Sequence, residues 1–418
     1  MAFLCDWIFI IFATYISYKS YKQVVFNRNS PVGYFVVLVI YIFCCLPILL
    51  NYLLGVPEYR MVYWYKVFLP AMESEEVSII YDFYIFIAIY TLYYSARNNR
   101  IRAKVTQVQD SSICNPYFYY FLIGLPFLYV SVTGKLTSLI VYTTLKIRGF
   151  SETENNILNY LVLLSIYAIC QVFFSKKLNG LRILTLLILS FALAWIQGKR
   201  FIIAVMGILY LFFYTRMDIS IEKRMRLFRV LPISLLVLVV FSGIYLAIVK
   251  PFAETNFTTV YDMLRVDFGR DDVIKYVIYQ EFFKKNHILD YPFQTILSMV
   301  LIFIPRAIWP NKPYQHYMYL TSSILQTPLN RIPAGTTPSW YEMCLCNCSY
   351  FGFLLGIISI PVICNVADNL RTVKARAVTF LLVLVLLTQC IDVYLIFVVL
   401  FVAYYVENKI LKGKHILL

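Results

Sequence analysis

Long apolar runs separated by short polar stretches recur along the chain. A helix needs about 20 apolar residues to cross the hydrocarbon core of a membrane. On that guide the pattern predicts spans near 2–18, 33–54, 78–96, 116–133, 157–175, 183–197, 201–215, 230–249, 349–366, 378–390 and 391–407. The expected fold is therefore an all-α polytopic integral membrane protein of about 11 transmembrane helices. The first run, MAFLCDWIFIIFATYISY, has no basic n-region and no small-residue cleavage site before the Lys19–Lys22 cluster, so it reads as a true span.

The pattern breaks once, over 250–348, giving an expected organisation of eight spans in 1–249, a long extramembrane segment, and the last three spans with a tail in 349–418. Inside the long segment the run TILSMVLIFI, 295–304, resembles a span but is cut short by Pro305, Arg306, Trp309 and Lys312. As a helix, about ten residues rise only about 15 Å, half of the hydrocarbon core.

Charge supplies the orientation. Basic clusters occupy every second connection: Lys19/Lys22/Arg28, Arg97/Arg100/Arg102/Lys104, Lys176/Lys177/Arg182, Arg216/Lys223/Arg224/Arg226/Arg229, Arg371/Lys374/Arg376 and Lys409/Lys412/Lys414. With the positive side cytoplasmic, the N-terminus lies outside and the C-terminus inside, and the acid-bearing 55–77 loop faces out. A crossing at 295–304 would put every later basic loop on the wrong side. That run is expected to be re-entrant or interfacial, and 250–348 to be one outward-facing segment.

Composition agrees, with 61% hydrophobic and 14% charged residues and a mean hydropathy of +0.72. The +15 formal charge lies mostly in short loops, where it orients spans; nucleic acid is excluded as a partner on that placement. Cysteines fall mostly inside spans, as Cys44, Cys45, Cys170, Cys364 and Cys390 do, and there act as small hydrophobes. CLCNC, with Cys344, Cys346 and Cys348, lacks the CxxC pairs of a zinc site and reads as packing.

The chemistry-bearing residues concentrate in the outward segments. In RVDFGRDDVIKYVIYQEFFKK, Gly269 marks a break, and Asp271 and Asp272 open a helix whose Val273, Ile274, Val277, Ile278 and Phe282 share a face. Capping is the commonest role for such aspartates. Arg265 and Arg270 beside that N-terminus oppose the helix dipole unless an anion sits between them. In LAWIQGKRFIIAVMG, helices of about fifteen residues would each rise only about 22 Å, which draws Lys199 and Arg200 inward on the outer side. The 134–156 loop adds Lys135, Lys146 and Arg148. Cations from several segments, with Trp309, Tyr314, Tyr317, Trp340 and Tyr341 among them, suit a phosphate bearing sugars, although a belt of interfacial aromatics gives the same pattern.

IPRAIWPNKP, the upstream GKR turn, FGRDD, and SWYEMCLCNCSYFGFLLG with Glu342 and Gly352 resemble the Wzy-type oligosaccharide repeat unit polymerases. The resemblance covers roughly 195–355; before that only hydropathy agrees. It implies polymerisation of O-antigen or capsule units on the outer face of a bacterial inner membrane. A growing glycan on undecaprenyl diphosphate would pass to a second lipid-linked unit, with undecaprenyl diphosphate leaving. Donor and acceptor lipid-linked oligosaccharides and membrane lipids are the implied partners, with a chain-length regulator as a further one.

That chemistry needs cations on the leaving diphosphate and a base for the acceptor hydroxyl. Arg200, Arg270, Arg306 and Lys312 are the implied diphosphate ligands, with Lys199, Arg265, Trp309 and Tyr314 completing the substrate-binding set. The base is left open among Asp271, Asp272, His316 and Glu342; a lone histidine such as His316 is more often structural. The scheme requires no cofactor and no metal. ESEE at 73–76 is the nearest to a metal motif and keeps a metal-dependent lipid-phosphate-sugar transferase as an alternative. An O-antigen ligase shares the chemistry. A flippase would show matching broken helices in both halves, and the 198–200 hairpin has no counterpart in the front half.

Overall fold

The computed structural model describes residues 2–28, 30–60, 63–103, 116–137, 149–173, 180–197, 201–216, 220–230, 232–233, 257–301, 304, 308–332, 335–370 and 373–414. Every regular element among them is helical. The longer helices, in chain order, are α1 (Ala2–Phe26), α2 (Val32–Leu54), α3 (Glu75–Ala103), α4 (Pro116–Val132), α5 (Glu152–Phe173), α6 (Gly180–Gln197), α7 (Phe201–Arg216), α8 (221–230), α9 (Phe257–Phe268), α10 (Asp271–Ile278), α11 (Gln294–Val300), α12 (His316–Leu325), α13 (Trp340–Cys348), α14 (Tyr350–Asp368), α15 (Val373–Thr388) and α16 (Leu395–Lys414). Among the described residues four helices are long and apolar enough to cross a membrane, Ala2–Phe26, Val32–Leu54, Glu75–Asn99 and Tyr350–Asp368, and shorter apolar helices accompany them. The expected span at 230–249 lies almost wholly outside the described residues.

The chain forms two compact units. In the first (Met1–Ala103, Ile219–Val366 and Val383–Leu395), α1, α2 and α3 pack on one another. α1 runs on to Phe26, beyond the expected end at 18, through Lys19 and Lys22. Their ammonium groups turn back over the rings one turn earlier, Tyr15 at 4.3 Å and Tyr18 at 4.5 Å. α2 contains a π-helical turn at Tyr41–Cys45, followed by Pro47. Proline has no N–H for the carbonyl four residues back, that of Phe43, and that carbonyl is taken up elsewhere.

α10 departs from the amphipathic helix the sequence suggests: all its residues from Asp271 to Ile278 are buried, including Lys275. A short break at Gly269 joins it to α9. A Cβ there would stand 2.5 Å from Arg265 Nη1 and 2.6 Å from the Arg265 carbonyl, so only glycine lets the chain turn this tightly.

The half-length run at 295–304 yields a helix of 7 residues, α11. Its N-terminus is held by Asn347: the Thr295 N–H donates to Asn347 Oδ1 at 3.1 Å, and the Phe293 N–H to the Asn347 carbonyl at 3.0 Å. This supplies the short helix with acceptors for N–H groups at its buried start. Asn347 lies on α13, which opens with a capping box formed by Ser339 and Glu342. α13 turns sharply into α14, where a Cβ at Gly352 would meet the Cys344 carbonyl at 2.2 Å. Cys344 and Cys346 are buried packing residues here, as their spacing suggests.

The second unit comprises Lys104–Asp218, Ala367–Leu382 and Ile396–Leu418. α4 and α5 lie together, with Ser165 Oγ donating to the Leu122 carbonyl at 3.0 Å. α6 and α7 are joined by Ser190 and Tyr210, whose hydroxyls are 2.8 Å apart. Phe212 of α7 stacks on Phe380 at 5.0 Å between centroids.

Candidate functional site

Several buried charged side chains of the first unit gather around the start of α10. Arg265, from the last turn of α9, places its guanidinium on Asp271 as a two-pronged pair, Nη1 to Oδ1 at 2.8 Å and Nη2 to Oδ2 at 2.9 Å. Their side chains are 2% and 0% exposed. The anion that Arg265 calls for beside this N-terminus is thus Asp271 itself. Nor is either aspartate the cap: the residue at that position is Arg270, with no side-chain capping bond.

Arg270 is bound through both ends. Its backbone N–H donates at 3.0 Å to the Phe43 carbonyl left open by Pro47. Its guanidinium, 3% exposed, donates to the carbonyls of Gly269 at 2.7 Å and Thr388 at 3.0 Å and lies over the Phe43 ring. A π-helical turn in α2 and a proline just beyond it therefore prepare the seat for a charged residue more than two hundred positions later in the chain.

Asp272 is fully buried and accepts a hydrogen bond from Tyr59 Oη at 2.8 Å, while its Oδ1 takes the Val273 N–H at 2.7 Å. Burial, and then the neighbouring Asp271 charge, raise the Asp272 carboxyl above the usual range. Tyr59 is also fully buried and has a φ of 50°, a left-handed conformation that costs a non-glycine residue energy. Asp262 of α9 holds it there, accepting the Glu58 N–H at 2.9 Å and the Arg60 N–H at 3.0 Å. The loop between α2 and α3 is thereby tied over Asp272. One turn further along α10, Lys275 donates to Ser78 Oγ at 3.0 Å and lies 5.3 Å from the Tyr81 ring centre.

The other candidates have different surroundings. Both Glu342 oxygens are engaged by Ser339, one by its backbone N–H at 2.5 Å and one by its hydroxyl, so Glu342 caps α13. Burial raises its carboxyl, opposed by the Ser339 bonds and the Arg270 charge. His316 begins α12 in another neighbourhood: its backbone N–H donates to Asp392 at 2.7 Å, its Nδ1 is 3.3 Å from Thr295 Oγ1, and its Nε2 has no partner among the described residues. Complete burial lowers the imidazole to about 3, so it is neutral.

Lys312 donates to the Ile304 carbonyl at 2.9 Å, and its N–H closes a turn on Trp309 at 3.0 Å. Trp309 and Tyr314 are half-buried. Trp340 donates to Ser359 at 2.7 Å and Tyr341 packs edge-on against Tyr84, so these two rings serve packing. Lys135 pairs with Glu154 at 2.6 Å. Glu75 and Glu76 lie exposed in the first turn of α3, where carboxylates offset the helix dipole, and Glu73 is exposed just before them. Lys199, Arg200, Arg306, Lys146 and Arg148 lie outside the described residues.

Of the expected site residues, the structure brings together Arg265, Arg270, Asp271 and Asp272, and it adds Tyr59, Asp262 and Lys275. Tyr59 is unmarked in a chain with 36 tyrosines; only its place in the loop between two apolar runs distinguishes it. No protein-family model, curated protein or solved structure matches this chain.

Proposed function

We propose that this chain is a polytopic inner-membrane glycosyltransferase that polymerises undecaprenyl-diphosphate-linked oligosaccharide repeat units on the outer face. The observation that carries the reading is the buried cluster at the head of α10: two guanidiniums, two carboxylates and a lysine in a chain of which only 14% is charged. Burying such groups is costly, and in membrane proteins they mark functional sites by default.

The orientation, with about 11 spans and the N-terminus outside, draws support from which ends touch. The sequence assigns 55–77 and 250–348 to the outer side, and Asp262, Asp272 and Lys275 bond Glu58, Tyr59, Arg60 and Ser78. On the expected inner side, Arg224 donates to the Val25 carbonyl at 2.9 Å, and Ser95 to Asn365 at 2.7 Å.

Among the four candidate bases, Asp272 fits best. Asp271 is committed to Arg265, Glu342 caps a helix, and His316 is held neutral with little affinity for a proton. Burial moves Asp272 toward the working pH, where general-base catalysis is most effective. In the reaction the acceptor hydroxyl gives its proton to Asp272 as its oxygen bonds to the anomeric carbon of the donor. The bond from that carbon to the diphosphate oxygen breaks, and the electron pair leaves with undecaprenyl diphosphate. Arg270, with Lys199, Arg200, Arg306 and Lys312, is assigned to the leaving diphosphate. Arg265 and Asp271 are positioning residues. Since Tyr59 covers Asp272, the acceptor hydroxyl reaches the carboxylate only once the Tyr59 hydroxyl is displaced.

The test is the glycan made after deletion. Loss of a polymerase leaves single repeat units on the outside, loss of a flippase leaves none, and loss of a ligase leaves long chains that remain on the lipid carrier. Any pattern other than the first contradicts the proposal.

A further inference from the structure

α8 is a basic helix that no step of the proposed reaction uses. Arg224, 6% exposed, is the residue that grips α1 through the Val25 carbonyl. Phe228 lies between Tyr21 and Phe26, with ring centres 4.8 Å and 5.3 Å away, and Tyr21 Oη donates to the Phe228 carbonyl at 2.8 Å. These contacts fix the helix against the end of α1 that carries Lys19 and Lys22.

Most of the remaining side chains of α8 are exposed, and apart from Glu222 they are apolar or basic. Ile221, Met225 and Val230 are 76%, 39% and 47% exposed. Lys223, Arg226 and Arg229 are exposed beside them, and neither Arg226 nor Arg229 has a hydrogen-bond or ion-pair partner among the described residues. Ile221, Glu222, Met225, Arg226, Arg229 and Val230 together line a shallow, open recess along this one helix. Ile221 and Met225 are one turn apart, as one face of a helix requires, and Arg226 and Arg229 are three residues apart on the adjoining face. A water-soluble anion would use the arginines and leave the apolar face wet. An apolar ligand would leave two guanidiniums unpaired.

We propose that this exposed face of α8 binds an anionic phospholipid, with the headgroup phosphate between Arg226 and Arg229 and the upper acyl chains against Ile221 and Met225. Glu222 at the rim disfavours a second negative charge, which points to a lipid with a single phosphate. Charge complementarity argues for this occupant: the cytoplasmic leaflet is anionic, and basic residues at its surface bind such lipids. The bilayer position rests on the orientation above, but the lipid preference itself does not.

The experiment uses the full-length protein, delipidated in neutral detergent and supplied with phosphatidylglycerol or phosphatidylcholine, with retained lipid counted by native mass spectrometry. The intact protein is expected to retain phosphatidylglycerol about tenfold to thirtyfold more tightly than phosphatidylcholine, the effect of two cations at about 1 kcal/mol each. Arg226→Ala with Arg229→Ala should reduce that preference to near unity, and Arg226→Lys with Arg229→Lys should preserve most of it. Excess inorganic phosphate should leave the retained lipid in place. Equal retention of the two lipids by the intact protein, an undiminished preference in the alanine pair, or displacement of the lipid by phosphate would each overturn the proposal.

Discussion

Asp271→Asn removes the charge that Arg265 was buried to meet. The two side chains are 2% and 0% exposed, and the pair is joined by two bonds of 2.8 and 2.9 Å. Stripping one partner from a buried, two-pronged pair leaves the other charge without water or counter-ion, at a cost of about 3–5 kcal/mol. Replacing both partners by apolar residues of similar volume avoids that penalty, so Arg265→Met with Asp271→Leu should fall within about 1 kcal/mol of the parent. Stability is measured by titrating the purified protein with denaturing detergent, alongside its abundance in membranes. The Asp271 charge also raises the Asp272 carboxyl, so in Asp271→Asn protein that stays folded the acid limb of polymerisation should move to lower pH. If Asp271→Asn proves as stable as the parent, the pair does not hold α9 to α10 and the reasoning fails.

Asp272→Asn keeps the shape of the side chain but takes no proton; it should leave abundance near normal and slow polymerisation by about 100- to 10,000-fold, read from glycan chain length and single-turnover rates. His316 supplies a pH dependence of stability. With its folded value lowered from 6.5 to about 3, the unfolded chain binds the proton first, so stability is full above about 6.5 and declines as pH falls toward 3. Between pH 7 and pH 5 this group alone should account for about 2 kcal/mol, and His316→Gln should abolish that part of the slope in denaturation curves at the two pH values. Gly269→Ala drives a methyl group into Arg265 and should cost about 1–3 kcal/mol; unchanged thermal stability would show that the turn is looser than described.

Hydropathy made the helices legible because a membrane imposes a length and a composition that few other settings require. The expected spans at 33–54, 183–197, 201–215 and 349–366 match α2, α6, α7 and α14 to within a few residues. The end of α1 was missed because Lys19 and Lys22 fold back on tyrosines and continue the helix instead of stopping it. In the site, the sequence drew attention to Arg265 and Arg270 through their conflict with the helix dipole. It did not reveal that Asp271 resolves that conflict from within the same turn, because a fork closing over a glycine depends on backbone geometry and not on spacing alone. Tyr59 was invisible for a different reason: its contact with Asp272 spans 213 positions, and no local pattern reports a partner so distant. The same holds for the Phe43 carbonyl, whose availability follows from Pro47 but whose user, Arg270, does not.

The most direct measurement is reconstitution of the purified protein in a bilayer with a defined undecaprenyl-diphosphate-linked repeat unit and no other enzyme. The account expects lipid-linked products of two and more repeats, with one undecaprenyl diphosphate released for each linkage formed, and expects neither from the Asp272→Asn protein. A well-folded parent protein that leaves the repeat unit unextended, or an Asp272→Asn protein that extends it at the parent rate, would contradict it.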